Sequence, residues 1–86
     1  MEAQVELASG SPKVEAGIRN ISSAGAQLLT TQPANAGKIV KVNIGGAVLF
    51  GEVHYNNLMD DKFLVGIQFN PRLSRRELDA ILSSAG

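Results

Sequence analysis

Apolar and polar residues alternate along most of this chain with a period of two. Gln4-Val5-Glu6-Leu7 alternates, and so does Lys13 to Ile18, with Val14, Ala16 and Ile18 on one side. Such alternation places the apolar side chains on one face of a half-buried strand. Ala26 to Thr31 reads as a third strand, ended by the Pro, Asn and Gly of "QPANAG" at 32–37. Lys38 to Ile44 is a fourth, with Val40, Val42 and Ile44 opposite Lys41 and Asn43. Gly45-Gly46 allows a tight reversal through positive φ into a fifth strand, Ala47 to Tyr55, in which Gly51 predicts a bend or bulge. "NNLMDDK" at 56–62 reads as a polar hairpin loop. Phe63, Val65, Ile67 and Phe69 then alternate with Leu64, Gly66 and Gln68 as a sixth strand.

The period changes at the end. In "NPRLSRRELDAIL", Ser74 is followed three residues later by Glu77, the pattern of a capping box, and Leu73 and Leu78 stand at the spacing of a hydrophobic staple. Leu78, Ile81 and Leu82 form an apolar stripe, which predicts a short helix over about 74–83 packed on the strands, with the final "SSAG" frayed. Six strands with short polar connections predict an all-β fold: a small antiparallel barrel over about 3–69, closed so that no strand edge is exposed. At 86 residues the chain is read as one domain, 1–86.

Composition narrows the chemistry. With no cysteine, disulfides and thiolate metal sites are excluded, and with one histidine no His-based cluster forms within the chain. Eight basic residues balance eight acidic ones, so there is no cationic surplus to displace counterions from a nucleic-acid polymer. Tyr55, Phe50, Phe63 and Phe69 are too few to supply a stacking platform for single strands. No apolar stretch is long enough for a membrane span, and "MEAQVELASG" lacks the basic and apolar regions of a signal peptide, so a cytoplasmic location is expected. His54 reads as a surface or rim residue. Asp60-Asp61 reads as a solvated turn without the alternating ligands of a calcium loop. No nucleophile motif is present, and neither catalytic residues nor a metal site nor a cofactor is expected.

One stretch carries a more specific pattern. "RNISSAGAQL" at 19–28 contains Asn20-x-Ser22-x-x-Gly25 between two strands, and "GEVHY" and "VGIQF" at 65–69 follow at the fifth and sixth strands, before a short helix. From about Val5 to Leu82 this resembles the PilZ domain, a bacterial six-stranded barrel that serves as a receptor for cyclic di-GMP. The resemblance implies a non-catalytic receptor in which Asn20 and Ser22 contact guanine and Gly25 shapes the turn, with output to a protein partner. An amide and a hydroxyl suit that task, because both can pair with the hydrogen-bonding edge of the base.

The family also carries Arg-x-x-x-Arg before the first barrel strand, where planar guanidinium forks grip phosphate and stack on guanine. Here no arginine precedes Arg19, and Lys13 is the only earlier basic residue. Either the arginines lie upstream in a longer product, or the domain is divergent and serves as a protein-interaction module with weak or no ligand binding. Arg72 and Arg76 repeat the spacing after the barrel, where they read as a solvated helix entrance. Arg19 is an additional candidate contact next to Asn20, although simple alternation sends the two side chains to opposite faces.

Overall fold

The computed structural model describes residues 1–7 and 10–84. Six strands, β1 (Glu2–Glu6), β2 (Val14–Ile21), β3 (Gly25–Thr30), β4 (Ile39–Ile44), β5 (Ala47–Met59) and β6 (Lys62–Phe69), precede one helix, α1 (Arg75–Ser84). Neighbouring strands pair antiparallel in the closed order β1-β2-β3-β6-β5-β4, with β1 returning to β4 through Val5 opposite Val42. The predicted barrel with a C-terminal helix is the observed architecture.

Period-two alternation fills the barrel. Val5, Leu28, Val40, Val42, Ile44, Val53, Val65 and Phe69 are all buried in one core cluster. Gly45 and Gly46 both take positive φ, +55° and +87°, and reverse the chain in two residues between Ile44 and Ala47. A pair of left-handed residues matches the right-handed twist of the strands it joins.

The chain departs from its sequence pattern in four places. Residues 56–59 are not loop but the end of β5, with Asn56 opposite Val65 and Met59 opposite Lys62. Only Asp60-Asp61 turns, and Asp60 adopts φ +55°, a conformation that aspartate tolerates better than most residues. Gly51 carries no bulge; its partner is Phe69 in regular register, and the irregularity of β5 lies between Val53 and Tyr55. Leu64 and Gly66 are buried although they alternate with core residues, so β6 is covered on both faces at its centre. Asn56 shares a row with the buried Leu28 and Val65, and its Oδ1 is buried without a hydrogen-bond partner.

The helix starts as its sequence dictates. Ser74 N–H donates to Glu77 Oε1 (2.8 Å), and Glu77 N–H donates to Ser74 Oγ (3.1 Å), the two reciprocal bonds of a capping box. The backbone and side-chain bonds from Ser74 hold the Glu77 carboxyl below its ordinary range. Leu73 and Ile81 are buried in the barrel core and Leu78 packs against it, whereas Leu82 is exposed and does not belong to the buried stripe. Residues 85–86, part of the stretch expected to fray, lie outside the described residues. No described helix is long and apolar enough to cross a membrane.

Candidate functional site

Two bulges organise one patch of the barrel's outer surface. On either side of it the pairing is regular and points inward: Ile18, Leu28 and Val65 form one row, and Ile21, Ala26, Ile67 and Val53 another. Between them lies the row Asn20, Gln27, Gly66 and Tyr55. To reach it, β2 inserts Arg19 as an extra residue between Ile18 and Asn20, and β5 inserts His54 between Val53 and Tyr55. A bulge re-aims the side chains that follow it. The two insertions therefore bring Asn20 and Tyr55 to the outside at opposite ends of a single four-strand row.

The turn beside this row is tightly closed. Ser22 N–H donates to the Gly25 carbonyl (2.8 Å), leaving Ser23 and Ala24 as the reversal, and Ala24 N–H donates to Ser22 Oγ (3.2 Å). With that acceptor bond made, the Ser22 hydroxyl proton remains available to a ligand. Gly25 is needed for a reason other than the one its place in a turn suggests. Its φ is not positive; instead, a Cβ there would run into the Ile67 carbonyl oxygen of β6 and stand 3.2 Å from the carbonyl carbon. Glycine at 25 lets β3 lie against β6 at the edge of the site.

Across the patch, Tyr55 lies flat over Gly66. The ring fills the space where a Cβ on residue 66 would stand, its Cδ2 only 2.7 Å from that position. Gln27 Nε2 donates to the Tyr55 hydroxyl oxygen (2.7 Å), which fixes the ring and leaves the phenolic proton free to donate. Side chains from β3 and β5 are thereby held in one arrangement over β6.

Asn20, Ser22, Gly25, Gln27, His54, Tyr55 and Gly66 line a shared surface concavity of about 250 Å³, with Ala26 and Ile67 at its base. The three residues of the Asn-x-Ser-x-x-Gly pattern are thus brought together. No carboxylate, lysine or arginine lines the concavity among the described residues, so His54 is the only lining group able to carry positive charge. Its Nε2 lies 3.6 Å from Glu52 Oε2, with both side chains about half exposed (47% and 50%). The described residues contain no group of three or more side chains suited to hold a metal ion.

The arginines are placed elsewhere. Arg19 directs Nη1 to Met59 Sδ (3.9 Å), away from the concavity. Arg72 and Arg76 are exposed and do not line it either. Arg72 nevertheless belongs to a strap that is tied to the turn: Phe69 N–H donates to the Ala24 carbonyl (2.8 Å) and Leu73 N–H to the Ser23 carbonyl (2.9 Å). At the other side of β2, Ile18 N–H donates to the Met1 carbonyl (2.7 Å), so the first residue of the chain runs beside the residues that lead into Asn20.

Gln27, His54 and Tyr55 are lining residues that the sequence pattern does not single out. The pairing of Tyr55 with Gly66 is the one signal that marks them, because an aromatic residue placed opposite a strand glycine can cover it; the bulge at His54 has no signature in sequence.

No curated protein matches the chain in sequence. Among protein families, the PilZ domain matches residues 1–84. That span takes in every strand of the barrel and all of α1, and the chain belongs to the PilZ domain family.

Proposed function

We propose that this domain is a non-catalytic receptor that docks a guanine of cyclic di-GMP at the Asn20–Gly25 turn and passes the binding event to a protein partner in the cytoplasm. The observation that carries this reading is that Asn20, Ser22 and Gly25 meet in one concavity with the row that ends at Tyr55. The Asn20 amide offers one acceptor and two donors, and the Ser22 hydroxyl offers a donor, a set that pairs with the mixed edge of guanine. Ser22 and His54 both line the concavity, but no hydrogen bond joins the hydroxyl to the imidazole, and no chemistry on the ligand is proposed.

A second reading is favoured by the arginines. Charged hydrogen bonds contribute about 1.5–3 kcal/mol each, so the absence of two guanidinium contacts can weaken a micromolar site roughly a hundred-fold or more. On that reading the domain is a protein-interaction module that keeps the turn for structural reasons.

Isothermal titration of cyclic di-GMP, with cyclic di-AMP as control, separates the two. The receptor reading expects guanine-selective heat that disappears in the Asn20→Ala/Ser22→Ala variant while the barrel stays folded by circular dichroism. Absence of heat at high ligand concentration leaves the interaction module as the function, and affinity that survives the double substitution overturns the site.

A further inference from the structure

The concavity has a second wall, built by the β5 bulge. In an unbroken strand residues 54 and 55 would face opposite sides of the sheet; here both line the same hollow, across the row from Asn20. We propose that His54 is the phosphate-contacting group of this site, with Tyr55 as the fixed hydroxyl donor beside it, so that a phosphodiester is held on the β5 wall while its base lies at the turn. The proposal rests on the cyclic di-GMP reading for the identity of the ligand, but on the geometry of β5 for the anion contact.

Three observations carry it. Among the described residues His54 is the only lining side chain that can become a cation, and the carboxylate nearest to it, Glu52, stands outside the lining at 3.6 Å. Tyr55 is already immobilised by Gly66 beneath its ring and by Gln27 at its oxygen, so its O–H donor is aimed at little entropic cost on binding. The bulge that brings both to one face is a local break in an otherwise regular ladder. Donation from an imidazolium and a phenol to phosphate oxygens is charge-assisted bonding of the same kind that a guanidinium gives a phosphate.

The surroundings set the expected pH dependence. On β5 the charged neighbour of His54 is Glu52, at 3.6 Å. Opposite it, β6 presents Gly66, Ile67 and Gln68, and β3 presents Gly25 and Gln27, none of which titrates. Asn20 is neutral, and the Arg19 guanidinium is directed to Met59. The segment before β4 exchanges backbone bonds with Val53 through Gly37 and Lys38, and Lys38 is the further cation on that side. A phosphodiester keeps its charge throughout the range in which an imidazole titrates. Affinity should therefore rise as pH falls and His54 gains its proton.

Because the chain has one histidine, the imidazole resonance of His54 can be followed by proton NMR without assignment. Its titration midpoint is measured alone, with cyclic di-GMP, with dimethyl phosphate as a base-free phosphodiester, and with sodium chloride at matched ionic strength. The proposal expects cyclic di-GMP to raise the midpoint by about one pH unit, linked to roughly tenfold tighter binding at pH 5.5 than at pH 8.0. It expects dimethyl phosphate to move the midpoint the same way and the chloride control to leave it. His54→Gln should abolish the pH dependence of affinity, and Tyr55→Phe should weaken binding at both pH values with little change in the dependence.

Guanine-selective heat that is lost in Asn20→Ala/Ser22→Ala, with an unmoved His54 midpoint, overturns the anion contact and leaves the receptor reading intact. A midpoint raised by dimethyl phosphate, with no selective binding of cyclic di-GMP, overturns the receptor reading and supports the anion contact. A midpoint that responds to neither phosphodiester overturns the proposal.

Discussion

Tyr55 occupies the volume that a side chain on Gly66 would need: its ring stands where the Cβ of any other residue at 66 would be built. The two residues face each other across β5 and β6, and Gln27 locks the pair from β3 by its bond to the Tyr55 hydroxyl. Gly66→Ala should therefore expel the ring. The expected cost is about 1–3 kcal/mol, the usual range for overpacking. The chain has one tyrosine and no tryptophan, so loss of the near-ultraviolet circular dichroism of Tyr55, alongside a lower urea midpoint, reads both effects.

Gly25 is constrained by β6 in a similar way, but through backbone. A Cβ there meets the Ile67 carbonyl oxygen, which cannot swing aside as a side chain could. Gly25→Ala should part the β3–β6 ladder at its end, cost about 1–3 kcal/mol, and speed hydrogen exchange at Gly25 and Gln68 more than elsewhere in the barrel. Unchanged exchange at that pair would refute the close approach.

Asn56 offers the opposite sign. Its Oδ1 is buried without a partner in a row with Leu28 and Val65. An unsatisfied buried polar atom costs about 1–3 kcal/mol, whereas a β-branched apolar side chain suits a strand. Asn56→Val should raise the urea midpoint, with the slope of the transition unchanged; a lower midpoint would mean that Oδ1 is satisfied in solution.

Glu77 predicts an acid response at the helix start. Its carboxyl titrates below the ordinary glutamate value because Ser74 donates a backbone bond to it, with a side-chain bond from Ser74 adding to the effect. A depressed carboxylate contributes stability that is present above its unfolded value and is lost as pH falls through its folded one. The Ser74 amide resonance should move as the pH is taken below that of an ordinary glutamate, and Glu77→Gln should remove the movement.

Much of this was legible in the chain. Alternation located the six strands and their inward faces, because period two is a direct consequence of strand geometry. Ser74, Glu77, Leu73 and Leu78 announced the helix start, because capping acts over only a few residues. The bulges at Arg19 and His54 were not legible, since a bulge is fixed by register against a partner strand that local sequence does not name. The same cause hid the end of β5: Asn56 and Asn57 read as loop by composition, yet the ladder with Val65 and Leu64 holds them extended. Of the residues that line the concavity, Asn20, Ser22 and Gly25 could be singled out from their spacing. The wall formed by His54 and Tyr55 could not, because it exists only through the insertion that turns both outward.

Leu73 joins the core to the Asn20–Gly25 turn. Its side chain is buried in the core, and its amide holds the turn through Ser23. Leu73→Ala should cost about 2–5 kcal/mol and, unlike a core truncation elsewhere in the barrel, should also speed exchange of the Ser22 amide.

That tether has a mechanical meaning. The residues between Phe69 and Ser74 are fastened at one edge to the Asn20–Gly25 turn, through the Phe69 and Leu73 amides, and at the other carry the first turn of α1. A displacement of the turn is therefore felt at the start of α1 and, through the buried Leu73 and Ile81, in the core. Turn and helix start thus share one end of the barrel, joined through two backbone bonds.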